Sequence, residues 1–126
     1  MEKVLGIGGF FFRTMDPQGM ARWYSDCLGI DLTAPDRGVL GWQQQAGMPM
    51  FSPFGQNSAY LASPEKVWML NFRVRNLDAM IRQLRANGVM VEVDPEIYPN
   101  GMFARFADPE GNPVAIWEPQ GADARE

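Results

Sequence analysis

Phe106-Ala107-Asp108-Pro109-Glu110-Gly111-Asn112-Pro113 is the stretch whose reading decides the fold. Proline second and glycine fourth in Asp108-Pro109-Glu110-Gly111 is the pattern of a type I turn, because proline presets the backbone angle needed at that position. Apolar residues flank the turn, so the spacing predicts a hairpin of strands over 101–107 and 113–118. Working backwards, a third short strand is predicted over 89–93. Before it, Asn76 caps a helix over residues 77 to 87 that buries Leu77, Met80, Ile81 and Leu84, and Gly88 closes it. Lys66-Val67-Trp68-Met69-Leu70-Asn71-Phe72-Arg73-Val74 reads as the strand leading into that helix. The order is βαβββ.

The chain says much the same thing about 60 residues earlier. Phe12-Arg13 recurs as Phe72-Arg73, Met20 as Met80, Leu28-Gly29-Ile30 as Asn87-Gly88-Val89, and Pro49-Met50-Phe51 as Pro113-Val114-Ala115. In the first copy Val4 to Arg13 is an apolar run read as a strand. Asp16 caps a helix with Pro17 in its first turn, and Met20, Trp23, Tyr24, Cys27 and Leu28 follow at helical spacing before Gly29. Short strands are predicted near 30–34, 38–45 and 49–54, separated by turns at Pro35-Asp36-Arg37-Gly38 and Ala46-Gly47. Residues 55 to 65, rich in Gly, Asn, Ser and Pro, link the copies. A single domain is expected over residues 1–126, with one module over about 4–56, a second over about 66–119 and a frayed tail. Its fold class is α+β, with two βαβββ modules whose curved mixed sheets surround a concave cavity and carry their helices on the outer faces.

Composition narrows the function classes. A length of 126 residues suffices for a core, and 46% apolar content excludes wholesale disorder. A net charge of −4 argues against nucleic acid, which needs clustered Lys and Arg. No segment approaches the roughly 18 apolar residues of a membrane helix. Met1-Glu2-Lys3-Val4 has neither the charged nor the apolar region of a signal peptide, and one cysteine, Cys27, permits no internal disulfide. A cytoplasmic location is therefore expected. Histidine is absent, which removes the usual proton shuttle and the commonest metal ligand.

The arrangement resembles the glyoxalase/bleomycin-resistance/dioxygenase superfamily, the vicinal oxygen chelate proteins, over residues 4 to 119. The resemblance rests on Phe106 to Pro113, on Trp23-Tyr24-Ser25-Asp26-Cys27-Leu28-Gly29 and on Phe72-Arg73-Val74-Arg75-Asn76-Leu77-Asp78. It implies a homodimer, or modules paired within one chain. The superfamily's metalloenzymes carry His, Glu or Gln ligands on four strands, and their motifs match this chain at Gly9, Phe51, Met69 and Ala115. None of these supplies an oxygen or nitrogen donor, so no metal and no cofactor is expected. Glu118 lies three residues beyond the last position, on the other face, and reads as a solvated carboxylate at a strand end.

Alternation assigns the faces. Phe10 and Phe12 are expected under the first helix, and Gly9, Phe11 and Arg13 on the concave side. Leu70, Phe72, Val74, Ala104, Phe106, Val114 and Ile116 are expected in the core. The cavity lining predicted from this parity is Phe11, Phe51, Met69, Asn71, Phe103, Arg105 and Trp117, with Trp42, Gln44 and Trp68 contributing from neighbouring strands. Apolar walls with sparse polar groups suit a small molecule, and aromatic planes suit a flat or cationic one. The same aromatics also suit core or dimer interface. Arg13, Arg73 and Arg105 have two roles open to them: holding a ligand carboxylate, or forming solvated ion pairs beside Asp16, Asp78 and Asp108. Cys27, on the buried helical face, reads as packing.

The expected function is metal-free binding of an aromatic or amphipathic small molecule. The alternative is a divergent lyase, isomerase or dioxygenase using Glu96, Tyr98 or Glu118 as acid or base. A third reading, a partner module whose concave face meets another protein, predicts a large exposed apolar patch.

Overall fold

Two capped helices organise the chain. A computed structural model describes residues 1–3, 5, 7–30, 42 and 44–121. Helix α1 spans Pro17–Leu28; the Asp16 carboxylate accepts from Gly19 N, and Gly29 closes the helix at φ 72°. The left-handed conformation there suits glycine, which carries no Cβ to clash. Strand β1 (Leu70–Arg73) leads through the N-cap Asn76 into helix α2 (Leu77–Ala86). Strands β2 (Glu92–Val93), β3 (Gly101–Ala107) and β4 (Pro113–Pro119) follow. Both helices begin and end where their cap residues predict.

The strands form one mixed sheet in the order β1-β4-β3-β2. β4 lies at its centre, parallel to β1 and antiparallel to β3, with β3 joined to it by the predicted hairpin. In that turn the Asp108 carbonyl accepts from Gly111 N at 2.9 Å. An open mixed sheet carrying two helices is an α+β architecture, as the sequence predicts.

One face of the sheet is the core. Cys27 of α1 and Leu77, Ile81 and Leu84 of α2 pack on Ala104 and Phe106 of β3 and on Val114 and Ile116 of β4, with Phe72 and Val74 at the margin. A smaller cluster of Met20, Tyr24 and Ile30 receives Phe12, placing that residue beneath α1 as predicted. Apolar burial of this kind is the dominant stabilising contribution, about 25 cal/mol per Å². Asp108, buried at the hairpin, ties the turn to α1. Its carboxylate accepts from Tyr24 Oη at 2.8 Å, Glu110 N at 2.9 Å, Asn112 N at 3.0 Å and Asn112 Nδ2 at 2.7 Å.

The first copy departs from expectation. The predicted strands 4–13 and 49–54 make no ladder among their described residues, and among the described residues the copy contributes only α1 as regular structure. The strand expected at 30–34 and most of that at 38–45 lie outside the described residues. The physical reason is that apolar alternation reports which residues suit a strand, whereas a ladder needs a second backbone edge alongside. The outer edge of β1 pairs with no described segment.

Candidate functional site

Sheet register places four of the predicted lining residues, Asn71, Phe103, Arg105 and Trp117, in two cross-strand rows on the face away from the helices. One row runs Asn71, Ala115, Arg105, Glu92 across all four strands, and the next runs Arg73, Trp117, Phe103 across β1, β4 and β3. Alternation puts both rows opposite the core residues Phe72, Ile116 and Ala104, so the predicted parity of β3 and β4 holds.

The floor of this face is aromatic and partly sealed. Trp117 and Phe103 lie nearly parallel, 7° apart with centroids at 6.0 Å, and the edge of Tyr98 meets Phe103 at 5.7 Å. Trp117 is buried; its indole N–H donates to the Asn100 carbonyl at 2.9 Å. Arg105 sits with its guanidinium carbon 4.8 Å from the Tyr60 ring centroid, donates to the Tyr60 carbonyl and pairs with Glu92 at 2.8 Å. Cation–π contact and charge pairing together fix the orientation of that guanidinium.

Part of the lining comes from the segment before β1. Arg73 Nη2 donates to the Gln45 carbonyl at 2.8 Å and Nη1 to the Ala46 carbonyl at 3.4 Å. Phe54 packs on Tyr60 at 5.5 Å. Tyr60 and Asn100 are contributors that sequence reasoning missed. Both lie in irregular segments, where no periodicity assigns a face. The signal available for Tyr60 was a large aromatic inside an otherwise small and polar linker.

Other predicted residues fall elsewhere. Trp42 packs edge-on against Phe72 at 5.8 Å, on the helix-facing side, so it does not join Phe103 and Trp117. Phe51 is exposed, as is Phe11, which with Phe12, Arg13 and Trp68 lines an open cleft of about 630 Å³. Phe11 is 95% exposed, so this cleft encloses little, and the buried floor at Trp117 is the better-formed surface. Met69 is half-buried and Asn71 exposed.

The expected carboxylate partners of the arginines do not appear: among the described residues the one ion pair is Arg105–Glu92. Glu118 also differs from its reading as a solvated carboxylate. It accepts from Leu77 N at 2.8 Å, so it caps α2, where a carboxylate meets the unpaired N–H groups and the positive helix end.

Four groups, Cys27, Tyr98, Tyr60 and Tyr24, have their ionisation shifted upward. Burial, and secondarily Asp26, pushes the Cys27 thiol up, keeping it protonated. The Tyr98 hydroxyl donates to Asp94 at 2.9 Å, and that bond raises its ionisation range. Burial raises Tyr60, against the opposing effect of Arg105. Tyr24 is raised by burial and by its bond to Asp108. All four stay neutral near pH 7, which suits packing and hydrogen bonding better than proton transfer.

The family model described as the Glyoxalase/Bleomycin resistance protein/Dioxygenase superfamily matches residues 6–116. The chain belongs to that superfamily. Among solved structures similar to this glyoxalase-superfamily chain is TnmS3, an antibiotic binding protein from Streptomyces sp. CB03234. The two share 22% identity with a TM-score of 0.61, over 95% of this chain and 100% of that one. An integron cassette protein from the mobile metagenome of V. cholerae is similar at 21% identity and a TM-score of 0.51, over 82% of this chain and 86% of that one. A protein of unknown function from Agrobacterium tumefaciens str. C58 is similar at 15% identity and a TM-score of 0.51, over 93% of this chain and 100% of that one. These likenesses show a shared fold. No curated protein matches the chain.

The residues present do not fit the metal of the superfamily's metalloenzymes. Of the matching positions, Gly9 and Ala115 have no donor atom, Phe51 is an exposed hydrocarbon, and Met69 offers one thioether. Among the described residues no group of three or more His, Cys, Asp or Glu is placed to hold a metal ion. Ala115 is fully buried opposite Asn71 in the β1–β4 ladder.

Proposed function

We propose that this glyoxalase-superfamily chain is a small-molecule-binding protein that works without a metal, taking an aromatic or amphipathic ligand on the concave face of the sheet. The observation that carries the reading is half-buried Phe103, backed by buried Trp117 and bordered by Arg105 and Tyr60, on the face that carries Ala115, one of the positions matching a metal ligand. Flat apolar surface with a few orienting polar groups binds a flat molecule and offers no means of breaking its bonds. The fold shared with TnmS3, described as an antibiotic binding protein, supports the same reading.

The working form in this proposal is a cytoplasmic homodimer. Ile7, Phe11, Met48, Phe51 and Phe54 stand exposed in the single chain, and the outer edge of β1 pairs with no described segment. A second copy covering them removes apolar surface from water. Cys27, a free buried thiol, suits a reducing compartment. No helix is long and apolar enough to cross a membrane.

The test is a thermal-shift screen of aromatic natural products, with elemental analysis of dialysed, untagged protein. At a free concentration 100 times its Kd a ligand adds about 2.7 kcal/mol. For 126 residues that is a rise in Tm of about 10 °C. One equivalent of retained Ni, Zn, Fe, Mn or Co per chain refutes the metal-free reading. A sedimenting monomer at micromolar concentration refutes the dimer.

A further inference from the structure

Arg73 differs from the other cation of the concave face. The charge of Arg105 is already met by Glu92 and the face of Tyr60. Arg73 instead donates to two neutral acceptors, the carbonyls of Gln45 and Ala46. Among the described residues no carboxylate pairs with it. The segment supplying those carbonyls is shallowly held, because residues 44–59 are all exposed. The segment and Arg73 lie in close contact, since a Cβ at Gly47 would collide with Arg73 Nη1, the movable end of that side chain. A half-buried guanidinium satisfied by carbonyls of an exposed segment can exchange them for a stronger acceptor, since a charge-assisted bond is roughly twice as strong as a neutral one.

We propose that Arg73 is the anion-binding end of the ligand site, so that the ligand is a flat aromatic molecule bearing a negatively charged group. This rests on the small-molecule reading above and narrows it. The Arg73–Trp117–Phe103 row crosses two strand spacings, about 10 Å, with Arg73 at one end, half-buried Phe103 at the other and buried Trp117 between them. A bicyclic aromatic with one acidic substituent matches that length and polarity. On binding, its anion takes the Arg73 N–H groups in place of the Gln45 and Ala46 carbonyls, and residues 45–47 lift from the sheet.

The test compares two fluorescent probes with the same ring system, 8-anilinonaphthalene-1-sulfonate and uncharged N-phenyl-1-naphthylamine, by titration against the full chain. The wild type binds the sulfonate about tenfold more tightly, the difference expected for one charge-assisted contact over a neutral one. Arg73→Gln removes that preference while the neutral probe binds within about twofold of wild type. Arg22→Gln, an exposed change of equal charge on α1, leaves the preference intact. Equal binding of both probes by wild type, an equal loss of both in Arg73→Gln, or an equal loss of preference in Arg22→Gln overturns the proposal. If Arg73→Gln does not fold, the salt dependence of wild type decides. Raising sodium chloride from about 50 mM to about 500 mM must weaken the sulfonate and spare the neutral probe. Binding of neither probe instead overturns the underlying small-molecule reading.

Discussion

Replacing Asp108 tests the tie that fastens the hairpin to α1. Four donors converge on this carboxylate, and one of them, the Tyr24 hydroxyl, is itself buried. Asp108→Ala leaves that hydroxyl without its acceptor, at a cost of about 1–3 kcal/mol. The two turn amides of Glu110 and Asn112 are only partly buried and regain water, adding about 1 kcal/mol between them. The expected loss is therefore about 3 kcal/mol. With an unfolding entropy of about 0.26 kcal/mol/K for 126 residues, Tm falls by about 11 °C. Tyr24→Phe keeps three of the four bonds and removes the orphaned hydroxyl, so it costs about 1 kcal/mol. In the double variant the penalty is smaller than the sum, because Asp108→Ala no longer strands a donor. Urea denaturation of the four proteins measures the cycle. Additive losses, or an Asp108→Ala cost below about 1 kcal/mol, refute the reasoning.

Glu118→Ala removes the acceptor of Leu77 N and is expected to cost about 1 kcal/mol, read as a lower urea midpoint with unchanged slope. Gly101→Ala is expected to be far worse, above about 3 kcal/mol, since φ is 136° and a Cβ would collide with the Glu118 carbonyl oxygen. Soluble yield and circular dichroism check it, and a folded variant with near-wild-type Tm contradicts the crowding at that carbonyl. Alkaline pH is expected to destabilise the chain. The folded state holds the Tyr24 proton more tightly than the unfolded one, so stability is full below the ordinary tyrosine range near pH 10 and falls above it. Tyr24→Phe flattens that fall in pH-dependent urea midpoints, and an unchanged slope counts against it.

Helix limits and strand faces were legible because each has a local cause. Asp16 before Pro17, Asn76, and glycines at 29 and 88 bound the helices through their own chemistry, whatever the rest of the chain does. Alternation through 101–107 and 113–119 separated Ala104, Phe106, Val114 and Ile116 from Phe103, Arg105 and Trp117. What stayed hidden depends on distant partners. The run at 7–13 has strand-like residues and joins no described ladder. Asp108 looked like turn chemistry alone, because Tyr24 lies 84 positions away. Glu118 looked solvated for the same reason, with Leu77 N at a separation of 41. Tyr60 and Trp42 sit in irregular chain, where a face follows from packing and not from parity.

The central place of β4 has a consequence for how the chain is made. β1 and the β2–β3 pair are not joined to each other; each meets the rest of the sheet only through β4, which follows both in the chain. Without residues 113–119 the β2–β3 pair stays, but β1 loses its one described partner and the sheet falls into two pieces. The apolar faces of α1 and α2 then lose Val114 and Ile116 and stand partly unshielded. Truncation within β4 removes the seam along which the whole sheet is assembled, and the chain becomes a client for chaperones instead of a shorter version of itself.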